Sequence, residues 1–296
     1  MRVGIVQFMA FPATTGGDGP VLESIERIAY DPFFESIEVT RIKDAATRAR
    51  VARLLAESQM EVGFAAQPIQ LGEKLDVGAA DPAERRRAVE RLRQAVAEAV
   101  EIGAPKLAVM SGPDPGPAGR AAAFERTVES LAEVCRAAQE AGIAVTLEVF
   151  DRGIDKRCLI GSTADAVRLS EALRREFPGF GIMLDLSHLP LQGEKPLEAL
   201  QLARAHLTHV HIGNCVLKAG HPGYGDTHPP FGVPEGENGV AELAEFLRGL
   251  IDIGYLGAGR APTVAFEVRP RAGDSTEFVL ANAKRTLKAA WRAVSH

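Results

Sequence analysis

Four apolar runs in this sequence each close on a residue that can bind a metal: Val145-Thr-Leu-Glu148, Gly181-Ile-Met-Leu-Asp185, Thr208-His-Val-His211 and Val264-Ala-Phe-Glu267. One such residue alone reads as a solvated strand end or a helix cap. Four in succession point to one site. Three carboxylates and an imidazole make an oxygen-rich donor set, suited to Mn²⁺, Mg²⁺, Co²⁺ or Zn²⁺ and not to a thiolate-loving ion. The expectation is one divalent ion, Mn²⁺ first among these, held by Glu148, Asp185, His211 and Glu267. Continuous apolar runs are what strands covered on both faces look like, which places the ion at one end of a parallel barrel.

Side chains two apart on a strand share a face. Arg269 therefore lies on the face of Glu267, one layer nearer the mouth, where it holds a substrate oxygen or pairs with a carboxylate. His209 lies one layer below His211 and is expected to be a hydrogen-bonded core histidine, not a fifth ligand. His188 follows Asp185 by three residues and is expected over the pocket as a substrate contact. The connection from 213 to 237 is rich in glycine and proline and has no period of its own. Loops of that length are usually lids, binding loops or assembly surfaces. From it, Asn214, Asp226 and His228 are taken as substrate contacts and Lys218 as a solvated lysine. The segment Ser111-Gly-Pro-Asp-Pro-Gly-Pro117 is expected to wall the mouth.

Eight strand-like stretches must carry these residues, near 3–8, 36–42, 60–65, 105–111, 143–149, 180–185, 207–212 and 263–268. Helical patterns separate them. Phe124, Val128, Leu131, Val134, Cys135 and Ala138 keep helical spacing up to Gly142, Ser162 with Asp165 reads as an N-terminal cap, and Val240 to Leu250 form a stripe behind Asn238 as cap, ending near Gly254. No G-x-G-x-x-G follows the first strand, which argues against an open doubly wound sheet. The expected class is α/β: a single (β/α)8 TIM barrel over 1–296, with its chemistry at the C-terminal strand ends.

Composition narrows the function. Apolar residues make up 46% of the 296, enough for a large core, and the net charge of −5 supplies no basic field for nucleic acid. Cys135, Cys158 and Cys215 are odd in number and far apart, so neither a disulfide framework nor a thiolate zinc site is expected. No run approaches the ~18 apolar residues of a membrane span, and Gly4 and Gln7 interrupt the apolar start before it becomes a signal segment. The expected setting is cytoplasmic, with no membrane partner.

The order Glu148, Asp185 with His188, His211, Glu267, within Leu-Asp-Leu-Ser-His, His-Val-His-Ile-Gly-Asn and Phe-Glu-Val-Arg-Pro, resembles the xylose-isomerase-like TIM-barrel superfamily of sugar phosphate isomerases and epimerases. It is most similar to the branch of ketose 3-epimerases, hydroxypyruvate isomerase and inosose dehydratase. The resemblance runs from about residue 1 to the final helix. It implies the same four metal ligands, a substrate-binding His188, and a small sugar or keto-polyol as substrate, in a chain that could form a homo-oligomer. One feature departs from ketose epimerases: they carry an Arg soon after the metal His, whereas Ile212-Gly-Asn-Cys-Val-Leu-Lys218 offers only a lysine.

The implied reaction is proton abstraction next to a carbonyl through a metal-stabilised enediolate. Glu148 and Glu267 are the catalytic bases. One Glu that returns the proton to the neighbouring carbon gives isomerisation, and a second Glu on the opposite face gives epimerisation. A lyase or dehydratase acting on a keto-inositol or keto-glycoside is the alternative. An apurinic-site endonuclease is weaker, since its trinuclear zinc cluster needs histidines on early strands and the first histidine here is His188. A non-catalytic sugar-binding barrel would not need an intact ligand set.

Overall fold

Eight parallel strands hydrogen-bond in chain order and the last returns to the first: β1 (Arg2–Val6), β2 (Ser36–Val39), β3 (Glu61–Ala65), β4 (Lys106–Val109), β5 (Ala144–Glu148), β6 (Gly181–Asp185), β7 (Leu207–Ile212) and β8 (Thr263–Phe266). Closure is direct, with Val3 opposite Val264 and Ile5 opposite Phe266. The computed structural model describes residues 1–294, so the last two positions of the expected 1–296 domain lie outside the described residues. Among the described residues the chain is a single (β/α)8 TIM barrel.

One outer helix follows each strand: α1 (Val21–Ala29), α2 (Ala45–Ser58), α3 (Pro82–Ile102), α4 (Arg120–Glu140), α5 (Thr163–Arg174), α6 (Pro196–Ala203), α7 (Val240–Asp252) and α8 (Thr276–Val294). Each turns its apolar stripe inward. Leu131, Val134 and Ala138 of α4 and Leu243, Phe246 and Leu250 of α7 are buried against the strands. Gly142 and Gly254 lie just beyond those two helices with φ of 72° and 75°, the left-handed region that favours glycine. Ser162 caps α5 as expected, its Oγ accepting from the Asp165 N–H.

Several boundaries differ from expectation, with β4 ending at Val109 and not at 111 and β8 at Phe266 and not at 268. β1 ends at Val6, because Gln7–Ala10 coils into a short helix whose Phe8 and Met9 face the barrel mouth. β2 ends at Val39 and not at 42. At α7 the N-cap is Gly239 and not Asn238. The Asn238 amide is used elsewhere, donating through Nδ2 to the carbonyls of Leu186 and Gly213 at 3.2 and 3.0 Å. All three cysteines are buried free thiols. No helix among the described residues is long and apolar enough to cross a membrane.

Candidate metal centre

Parallel register sets the height of the first two ligands, since Asp185 of β6 sits directly opposite His211 of β7. Glu148 closes β5, and Glu267 lies one residue past β8, its N–H donating to the Ile212 carbonyl at 3.0 Å. One donor atom from each of Glu148, Asp185, His211 and Glu267 falls within 4.8 Å of the others, and all four side chains are buried. Sequence spacing and three-dimensional convergence thus agree on the same four residues.

In three of the four, one atom of the donor group is held by the protein. Glu148 Oε2 accepts from Gln67 Nε2 at 2.7 Å, Asp185 Oδ1 accepts from the Ser187 N–H at 2.6 Å, and His211 Nε2–H donates to the Glu38 carboxylate at 3.0 and 3.1 Å. The remaining atoms, Glu148 Oε1, Asp185 Oδ2 and His211 Nδ1, are buried without a hydrogen-bond partner, as is Glu267 Oε2. Buried polar atoms normally find partners, so four orphans converging from four strands are a specific anomaly. Bonding through Nε2–H leaves the lone pair of His211 on Nδ1, 2.6 Å from Glu267 Oε2 and 3.4 Å from Glu148 Oε1. So close an approach of Nδ1 to two carboxylates calls for a positive charge between them, a second ring proton when no ion is bound and a divalent cation when one is. A divalent cation fits this donor set, and the contacts that hold the other atoms are the outer support that orients metal ligands.

Glu38 was not foreseen from the sequence. Its carboxylate reaches across the barrel to both histidines of β7, with His209 Nε2 at 2.7 Å. His209 is thus the hydrogen-bonded core histidine expected. Glu38 lies opposite Gly63 of β3, where a Cβ would stand 3.0 Å from Glu38 Cγ, so the glycine makes room for the side chain. Burial alone would raise the Glu38 carboxyl, but the imidazoles of His211 and His209 hold it well below the usual carboxylate range. Reciprocally, burial would lower His211, and the charges of Glu38 and Glu267 outweigh that and raise it well above the ordinary histidine value. Gln67, which follows β3 in the short helix Gln67–Gly72, was likewise unforeseen.

Above the cluster opens a cavity of ≈ 400 Å³. Glu148, His211 and Glu267 reach its lining, whereas Asp185 lies behind them. Phe8, Met9, Ala65, Leu71 and Phe150 give it an apolar wall, and Arg269 and Lys156 supply two cations. Arg269 is exposed, and its N–H ties β8 to the long loop by donating to the His228 carbonyl at 2.7 Å.

The loop 213–237 is packed down onto the strand ends. It delivers Asp226 and His228 to the cluster, both with buried side chains and both on the cavity wall. Asp226 Oδ1 lies 3.0 Å from His188 Nε2 and 2.7 Å from His228 Nε2, while Oδ2 pairs with Lys156 Nζ at 2.8 Å. Burial would raise Asp226, but His188 and His228 draw it well below the carboxylate range. Two expected contacts lie elsewhere. Asn214 does not line the cavity: its Nδ2 donates to the Pro230 carbonyl at 3.0 Å and its Oδ1 accepts from the Asn238 N–H at 2.8 Å, so the amide braces the loop. His188 reaches the cluster but is wholly buried behind Phe150 and Asp226 and does not line the cavity. Lys218 is exposed and pairs with Glu235.

Comparison with known proteins places this architecture. The chain is 30% identical over 135 residues to the D-psicose 3-epimerase of Ruminiclostridium cellulolyticum, an alignment covering 46% of this chain and 39% of that protein. It spans well under half of that relative. Among solved structures, a D-tagatose 3-epimerase-like protein superposes with a TM-score of 0.73 at 19% identity, covering 99% of this chain and 100% of the other. The IOLI protein, solved with a bound zinc atom, gives 0.70 at 15% identity over 100% and 98%. At such identities these structures speak to the fold. A family model described as xylose isomerase-like TIM barrel matches residues 23–281, which contain strands β2 to β8 and all four converging donors. By that match, which takes in most of the barrel, the chain belongs to the xylose isomerase-like TIM barrel family.

Proposed function

We propose that the chain is a divalent-metal-dependent isomerase or epimerase of a small sugar or keto-polyol. The observation that carries this reading is the set of four buried, partnerless donor atoms on Glu148, Asp185, His211 and Glu267 at the floor of a cavity. The relative named a D-psicose 3-epimerase supports the substrate class. When bound, a divalent ion supplies an electrophile that stabilises negative charge on a substrate carbonyl oxygen and its neighbouring hydroxyl, the charge an enediolate carries.

The residues of the chain do the rest. Of the three carboxylates in the donor set, Glu148 and Glu267 face the cavity and Asp185 does not, so those two are the proton-transfer groups. Gln67 holds Glu148 by Oε2 and fixes its remaining oxygen toward the substrate. Glu38 fixes the ring of His211. The Phe8, Met9 and Phe150 wall keeps bulk water from the carbanion-like carbon. Arg269 at the rim donates to a substrate oxygen distant from the reacting carbon.

A lyase reading is favoured by one observation, the apolar run of Phe8, Met9, Leu71 and Phe150 along the cavity, which suits a keto-glycoside with an apolar aglycone. The two readings separate in one experiment: purified protein with added Mn²⁺, a panel of ketoses, aldoses, keto-inositols and keto-glycosides, and NMR in D₂O. Deuterium at one carbon beside the carbonyl with the skeleton intact is the expected result. Release of a fragment identifies a lyase, and no exchange with any substrate contradicts both.

A further inference from the structure

Given the isomerase or epimerase reading, we propose that Lys156 is a substrate-binding residue of this site: its ammonium, clamped between Asp155 and Asp226, donates one N–H to a neutral hydroxyl at the end of the substrate away from the donor cluster. Lys156 comes from the loop after β5 and lines the cavity with Phe150 and Asp226. With Leu71 it also borders a smaller cavity of ≈ 200 Å³ alongside. Asp226 stands between it and the cluster, Oδ1 lying 3.0 Å from His188 Nε2 and Oδ2 2.8 Å from Lys156 Nζ. Lys156 thus marks the outer end of the cavity and not its floor.

One buried side chain shapes the turn that presents it. The Asp151 carboxylate, just past β5, accepts from the N–H groups of Ile154, Asp155 and Lys156 at 2.5, 2.9 and 2.8 Å. The long loop docks on that turn, with the Asp226 N–H donating to Asp155 Oδ2 at 2.9 Å. Gly225 permits the approach: its φ is 90°, and a Cβ there would stand 2.6 Å from Asp155 Oδ2.

An ammonium carries three N–H donors. Two are taken, by Asp226 Oδ2 at 2.8 Å and Asp155 Oδ1 at 3.2 Å, and no third acceptor meets Nζ among the described residues. The third donor is left to the cavity. Burial would lower the pKa of this lysine, but Asp226 and Asp155 outweigh that and raise it, so the group stays charged and serves as a donor and not as a base. Charge also selects the ligand. Two carboxylates around one ammonium leave this corner net negative, which disfavours a phosphate or a carboxylate. A hydroxyl fits, because it accepts from Nζ and donates to a carboxylate oxygen. Lys218, the lysine of the long loop itself, is exposed, pairs with Glu235 and lies outside the cavity lining.

The test uses Mn²⁺-loaded wild type, Lys156→Met and Lys156→Arg, each checked by circular dichroism and for metal content. Exchange in D₂O is measured with D-fructose, D-tagatose and D-psicose and with analogues of each that lack a single hydroxyl. The wild type should favour the full ketose by ~10-fold or more in kcat/KM over the analogue lacking one particular hydroxyl remote from the carbonyl, the scale for losing a hydrogen bond to a charged group. Lys156→Met should raise KM for the full ketose ~10-fold with kcat within a factor of ~3, and should lose the preference at that hydroxyl alone. Lys156→Arg, which keeps a charged donor, should restore part of it. A wild type indifferent to every remote hydroxyl overturns the contact without any variant. Preferences kept at every hydroxyl in Lys156→Met also overturn it, leaving Lys156 as a brace for the loop and the isomerase reading standing. No exchange of any ketose by the wild type overturns that reading and the contact with it.

Discussion

The Glu38 carboxylate accepts the Nε2–H of His211 at 3.0 Å, across the barrel interior and over 173 residues of chain. That contact decides which nitrogen of His211 keeps its lone pair and where the ring points. Removing the charge should therefore weaken metal binding without touching a ligand. Glu38→Gln is expected to lower metal affinity by ~10–100-fold, the usual scale for losing a carboxylate behind a metal histidine. Titration calorimetry checks it, and an unchanged affinity would show that Glu38 serves only the fold.

The ligands themselves should be separable from folding. Asp185→Ala or His211→Ala should abolish high-affinity metal binding at the four-residue site and all turnover, while the circular dichroism spectrum stays that of the wild type. Asp185 ends β6 and His211 lies one residue before the end of β7, at the mouth end of the barrel, so folding is not expected to depend on them.

Gly213 is a sharper probe of site geometry. A Cβ there would stand 2.5 Å from the Glu267 carbonyl oxygen and 3.1 Å from His228 Nδ1. Gly213→Ala must push β8 and the long loop apart. The expected cost is about 1–3 kcal/mol of stability from overpacking, accompanied by weaker metal binding. A variant with wild-type melting temperature and metal content would contradict so close an approach of Gly213 to the Glu267 backbone.

At the opposite end of the barrel, Glu61 pairs with Lys106 and with Arg2, the latter at 2.7 Å. Burial raises its carboxyl, but the hydrogen bond and charge of Lys106, helped by Arg2, bring it below the ordinary 4.5. A carboxyl whose pKa is depressed on folding contributes stability that is full above its unfolded value and is lost as pH falls through the folded one. Thermal melts from pH 6 to pH 3 should thus fall less steeply below about 4.5 in Glu61→Gln than in the wild type. Parallel curves would mean the pair adds nothing.

The four converging donors and eight strands were legible because both are local signals: an apolar run, then one polar residue at or near its end. Helix stops at Gly142 and Gly254 are local for the same reason. Glu38 was not legible, since a lone Glu inside the short run Ser36-Ile-Glu-Val39 acquires meaning only when closure of the barrel sets β2 across from β7. Gln67 and Lys156 depend likewise on which strand ends become neighbours. Asn238 misled because Asn is a good cap by type, and the Leu186 and Gly213 carbonyls that claim it are distant in sequence. Asn214 was chosen as one of the polar residues of the long loop, and what the sequence did not reveal is that its amide pairs with the Pro230 carbonyl and the Asn238 N–H.

Proton transfer by Glu148 and Glu267 is the central claim, and solvent deuterium incorporation tests it most directly. With metal bound, the wild type should place deuterium at a single carbon beside the carbonyl of its substrate. Glu148→Gln and Glu267→Gln, each confirmed to retain metal, should slow turnover at least ~100-fold, the scale for losing a general base. In an epimerase each variant should exchange from only one epimer, and in a one-base isomerase one variant should keep substantial exchange. Full turnover and unchanged deuterium incorporation in both variants would contradict the account.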